Sequence, residues 1–145
     1  MSKTEDFLTK AEEQEIVNAI VLAEKNTSGE IRVHIEENSQ KPPLERAQEV
    51  FHQLKMDNTE LRNGVLIYIC MQSRSLAVIG DKGINEAVEN DFWDCTKDLI
   101  ISNFKDGKYK DGLVAGINRA GERLKKYFPF EEGDTNELPN EISRG

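Results

Sequence analysis

Hydrophobic positions divide this chain into a series of short elements. Thr9-Lys10-Ala11-Glu12 has the T-x-x-E form of a capping box, and Ile16, Ala19, Ile20 and Ala23 follow at helical spacing. That predicts a first helix ending near Asn26-Thr27-Ser28-Gly29. Ile31, Val33 and Ile35 then alternate with Arg32, His34 and Glu36, the period of a strand with one wetter face. Pro42-Pro43 opens a second helix with Leu44, Ala47, Phe51 and Leu54 on one side. Arg62-Asn63-Gly64 is a polar turn. It runs into Val65-Leu66-Ile67-Tyr68-Ile69-Cys70-Met71, a non-polar run without alternation, which suits a central strand covered on both faces.

The second half reads in the same way. Gln72-Ser73-Arg74-Ser75 is short enough for a hairpin into a strand over 76–80. Val88, Phe92, Cys95 and Leu99 predict a third helix. It ends at Asp106-Gly107, where glycine takes the left-handed C-cap conformation. Leu113, Ile117, Ala120, Leu124 and Tyr127 predict a fourth, which stops before Phe128-Pro129. The order is α-β-α-β-β-α-α. It specifies an α/β fold: a small mixed sheet, built from a right-handed βαβ unit and an antiparallel hairpin strand, sandwiched between helices. A single domain is expected over 1–129. Residues 130–145 hold five acids against one arginine and have no periodicity, so a disordered acidic tail is expected there.

Composition narrows the function classes. The chain has 145 residues and a formal net charge of −8. That charge argues against non-specific nucleic-acid binding and against docking on anionic lipid, and it leaves cations as ligands. No stretch approaches the roughly 18 apolar residues of a membrane span. Met1-Ser2-Lys3-Thr4-Glu5-Asp6 lacks the apolar region of a secretory signal, so a cytoplasmic location is expected. Cys70 and Cys95 fall in predicted core elements and read as buried free thiols. His34 falls on the wetter face of its strand and His52 follows a core phenylalanine; both read as solvated or partly packed. Neither has a nucleophile partner in sequence, and no phosphate-binding glycine loop is present. Trp93 reads as packing. Asp91, Asp94, Asp106 and Asp111 read as solvated helix caps.

The topology brings three turns together. The end of the third strand lies beside the starts of the second and, on the same edge, the first. Ser28-Gly29-Glu30, Arg62-Asn63-Gly64 and Gly80-Asp81-Lys82-Gly83 should therefore cluster. Their carboxylates, amides and exposed backbone suit a hard cation, Ca²⁺ first and Mg²⁺ or Mn²⁺ next, with Glu30, Asn63 and Asp81 as ligands. The same residues also suit ordinary turns, because Asn-Gly and Asp-x-Gly recur wherever positive φ is needed. The opposite edge gathers Glu36-Glu37-Asn38 and the 72–75 turn.

Four segments carry a family resemblance. Phe7-Leu8-Thr9 with Glu12-Glu13, Ser28-Gly29-Glu30-Ile31-Arg32-Val33, Asn63-Gly64-Val65-Leu66-Ile67, and Gly80-Asp81-Lys82-Gly83-Ile84 with Phe104-Lys105-Asp106-Gly107-Lys108-Tyr109 and Gly112-Leu113 follow one another in order. Over residues 7–128 the chain resembles the TPM domain family, named for thylakoid-lumen, photosystem II repair and nematode receptor-modulating members. The resemblance implies a small sheet sandwiched by helices, divalent-cation binding, often of Ca²⁺, and acid phosphatase activity in some members. The expectation is thus a cation-binding TPM-like domain with phosphatase-like hydrolysis secondary to it. The alternative is a non-enzymatic interaction module whose acidic surface meets a basic protein partner.

Overall fold

The computed structural model describes residues 8–57, 62–88, 92–129 and 142–144. Helix α1 spans Lys10–Glu24, β1 Glu30–Glu36, α2 Pro43–Gln53, β2 Gly64–Cys70 and β3 Ser75–Gly80. A single turn, α3, covers Lys82–Asn85; α4 spans Asp94–Lys105, α5 Tyr109–Tyr127, and β4 the pair Ser143–Arg144. The expected α-β-α-β-β-α-α order holds, with α3 and β4 added.

The sheet order is β3-β2-β1-β4. β1 and β2 run parallel, with Glu30 opposite Gly64 and Glu36 opposite Cys70. β3 returns antiparallel to β2, with Val65 opposite Gly80. The two faces of the sheet bury separate cores. Ile31, Val33, Ile35, Val65, Ile67, Ile69, Leu76 and Val78 meet residues of α1, α4 and α5. Leu66, Tyr68, Cys70 and Ala77 meet Ala47, Val50 and Phe51 of α2. β2 is buried along its whole length, as an uninterrupted apolar run demands.

Local signals place the helix ends. Thr9 and Glu12 form the reciprocal capping box, with Glu12 N–H donating to Thr9 Oγ1 at 3.1 Å and Thr9 N–H to Glu12 Oε1 at 3.0 Å. Pro42 caps α2 and Pro43 is its first residue. Gly107 closes α4 at φ +75°.

Three sequence expectations are corrected. Helix α4 does not bury Cys95 and Leu99; both are exposed, and Thr96 and Ile100 face inward after Phe92 and Trp93. The cause is a close helix contact. A Cβ added to Gly116 of α5 would lie 2.6 Å from Ile100, so α4 turns its narrow Thr96–Ile100 side to that glycine. Leu44 of α2 is 56% exposed rather than part of its inner side. Finally, β1 has no wet face. His34 and Glu36 are buried, and β4 runs parallel beside them, with His34 opposite Ser143.

Most of the segment expected to be an unstructured tail, residues 130–141 and 145, lies outside the described residues, as does Asp91.

Candidate functional site

The three turns meet where the topology requires. Glu30 N–H donates to the Asn63 carbonyl at 3.3 Å, and Asp81 N–H donates to the Gly64 carbonyl at 2.9 Å. Glu30, Gly64 and Asp81 therefore stand side by side across β1, β2 and the end of β3. At about 4.8 Å between neighbouring strands, the outer two backbones lie roughly 10 Å apart. All three predicted ligands are buried: Glu30, Asn63 and Asp81 are 3%, 1% and 6% exposed.

Their side chains are already engaged. Asn63 Nδ2 donates to Ser28 Oγ at 3.4 Å. Asp81 caps α3, accepting from Lys82 N–H at 2.7 Å. It also takes a forked pair from Arg62, Nε to Oδ2 at 2.9 Å and Nη2 to Oδ1 at 3.2 Å. Arg62 itself sits at φ +51°, and its carbonyl accepts from Gly83 N–H at 2.8 Å. One turn thus positions the cation that neutralises the aspartate of the next.

A further carboxylate belongs here that the sequence reading did not select. Glu24, the last residue of α1, accepts from Ile31 N–H through Oε2 at 2.9 Å. Burial, and then the charge of Glu30 beside it, push its carboxyl up to about 7, although the Ile31 bond pulls the other way. Its signal in the sequence was position: Glu24 follows Ile16 and Ile20 in steps of four along the buried stripe of α1. An acid on an apolar stripe is informative. Among the described residues no group of three His, Cys, Asp or Glu side chains is disposed to hold a metal ion.

The opposite end of β1 holds a second polar cluster. Glu36 accepts from Arg46 of α2 twice, from Nε at 2.9 Å and Nη2 at 3.0 Å, from the Tyr68 hydroxyl, and from His34 Nε2 at 3.1 Å. Burial alone would raise its carboxyl; those donors outweigh it and hold Glu36 at about 2. Burial lowers His34 from its ordinary value, against the pull of Glu36. The imidazole is then neutral near pH 7. With Nε2–H directed at Glu36, Nδ1 is an acceptor for Ser143 Oγ–H at 2.9 Å. Tyr68 stacks near His34, with ring centroids 6.0 Å apart, and burial followed by Glu36 raises its hydroxyl. This cluster is saturated with partners. His52, by contrast, is exposed, as expected.

The chain matches the model of the TPM domain over residues 1–123. Among solved structures, it is similar to the BA42 protein of the psychrophilic bacterium Bizionia argentinensis, with 56% identity, full coverage of both chains and a TM-score of 0.92. It shares its fold with the N-terminal domain of a P. gingivalis protein at 19% identity, covering 90% of this chain and 83% of that one, with a TM-score of 0.69. No curated protein matches it. The family model covers most of the chain, and the chain belongs to the TPM domain family.

Proposed function

We propose that this TPM domain binds a divalent cation at the start of β1, held first by Glu24 and Glu30, with Asn63 and Asp81 drawn in only as the ion binds, and with Ca²⁺ the first candidate. The observation that carries the reading is the Glu24–Glu30 pair, in which one carboxyl is held up to about 7 by burial and by its neighbour's charge. A cation between such groups lets both ionise. The donor set fits a hard ion in kind, since it offers carboxylate and amide oxygens and no sulfur. Backbone carbonyls and water would complete the shell. With few carboxylates, affinity belongs at the weak end of the range, on the order of 10⁻⁴ to 10⁻³ M. Arg62 already neutralises Asp81, and its side chain is 45% exposed. It has room to swing into solvent when an ion takes its place.

When bound, the ion would supply charge to polarise a phosphate oxygen, the Lewis-acid role that phosphomonoester hydrolysis in the family implies. The residues named here hold and orient; none is assigned a nucleophilic role.

Calorimetric titration with Ca²⁺, Mg²⁺ and Mn²⁺ tests the reading. Glu24→Gln and Asp81→Asn should each weaken binding several-fold while the fold survives, because affinity tracks ligand charge. Binding near pH 7 should release a proton from Glu24 and tighten as pH rises through 7. Equal affinity in wild type and both variants would place the ion elsewhere. No binding of any of the three metals would discard the cation reading in favour of a module that meets a basic protein. A phosphomonoester assay with and without the bound metal then decides hydrolysis.

A further inference from the structure

The far end of the sheet carries a cavity that the proposed cation site does not touch. Its volume is about 660 Å³, within the range of small-molecule sites. It opens between the β2–β3 turn and the α4–α5 turn. Met71, Leu76, Ile101 and Phe104 supply apolar wall, and Tyr109 meets Phe104 edge-on with ring centroids 5.2 Å apart. Two charged side chains line it, Arg74 and Lys105, and both are cations; no acid among the described residues joins them. In a chain of net charge −8 that is a local inversion of sign.

The backbone supplies an independent observation. Arg74 sits at φ +53°, in the left-handed region. A residue with a Cβ is strained in that conformation, which glycine adopts freely. The turn is closed by Arg74 N–H donating to the Met71 carbonyl at 3.2 Å, a bond any residue but proline could make. Arg74 thus occupies a turn position that glycine or asparagine would hold with less strain, as Lys55 and Arg62 do elsewhere, and of the three it alone lines the cavity.

We propose that this cavity binds a small organic monoanion, with its carboxylate or sulfonate on Arg74 and Lys105 and an apolar body against Leu76, Ile101 and Phe104. The cations are exposed, so they set orientation and selectivity at the mouth. The buried apolar body supplies most of the affinity.

Octanoate, octanol and inorganic phosphate separate the contributions of charge and body. In an NMR titration of the full chain, octanoate should shift the amides of residues 74, 101, 104, 105 and 109. It should bind about tenfold more tightly than octanol, the effect of one charge-assisted contact at a partly wet site. Phosphate alone should bind more weakly than octanoate. The Arg74→Gln/Lys105→Gln double variant should bring octanoate down to the level of octanol. Should that variant unfold, Ile101→Trp, which fills the cavity from α4, should abolish octanoate binding and leave Ca²⁺ affinity unchanged. Equal binding of octanoate and octanol, phosphate binding as tight as octanoate, or shifts confined to other residues would each overturn the proposal.

Discussion

Glu30 opens β1 and Glu36 closes it, and both side chains are buried. At the Glu36 end an arginine, a tyrosine and a histidine converge on one carboxylate and hold it ionised, at about 2. At the Glu30 end a second carboxylate, Glu24, stands beside the first with the Ile31 N–H as its donor, and burial pushes that group up to about 7. The two ends share a strand and a similar degree of burial. They differ in what surrounds the shifted carboxyl: three side chains donate to Glu36, whereas Glu24 has one backbone donor and a like charge beside it. A matched charge fixes structure: Glu36 ties α2 to β1 and β2, and through His34 it reaches β4. Glu24, raised chiefly by burial, holds a proton that a cation bound there would displace, and shifted groups of that kind cluster at functional sites.

The first way to break this comparison is to remove the matched charge. Glu36→Ala leaves Arg46, Tyr68 and His34 facing a gap. Taking one partner from a buried pair costs about 3–5 kcal/mol. Urea unfolding should show a loss of that size. A loss below about 1 kcal/mol, the value of an exposed pair, would mean that the cluster is solvated and the contrast between the two ends is empty.

That cluster was also the part least legible in the sequence. Alternation along β1 showed polar residues at His34 and Glu36, and polarity in a strand normally means water. What it could not show is that Arg46 lies 10 residues away and Tyr68 lies 32 away, each positioned by a different element. β2 was legible because an all-apolar run admits few environments. The clustering of Glu30, Asn63 and Asp81 was legible because strand direction alone dictates which turns meet. Their side-chain partners were not, since the forked Arg62–Asp81 pair depends on a left-handed residue that carries no sequence signal. Helix α4 was misread by one position for a similar reason: the glycine that selects its inner face, Gly116, lies on another helix.

A second test inverts the sign of the pH dependence. The raised Glu24 carboxyl is bound to a proton in the folded chain up to about 7, against its ordinary value of 4.5 in the unfolded one. Its contribution is therefore fully present below pH 4.5 and is lost as pH rises through 7, by at most about 3 kcal/mol. Glu36 works in the opposite sense and in a lower window: its contribution is present above pH 4.5 and is lost as pH falls through about 2. Glu24→Gln should remove the decline between pH 4.5 and 7 and leave a protein more stable than wild type at pH 8. Saturating Ca²⁺ should reduce the same decline in wild type, if the ion sits where we propose. Parallel stability profiles for wild type and Glu24→Gln would show that Glu24 titrates normally.

The smallest expected effect lies at the edge of β1. Ser143 donates its hydroxyl to His34, and β4 adds one short ladder beside His34 and Ile35. A neutral side-chain hydrogen bond contributes about 1 kcal/mol net. Ser143→Ala should therefore cost about that much, and deleting residues 142–145 somewhat more. The loss should depend on pH in a specific way. Burial lowers His34, so a neutral ring is favoured in the folded chain and its contribution is present above 6.5 and lost as pH falls below it. Without β4 the imidazole is wetter and its value should move back toward 6.5, which NMR titration of the ring protons reads directly. A ring that titrates identically with and without residues 142–145 would show that β4 does not cover His34, and that α2, β1 and β2 alone close the Glu36 end.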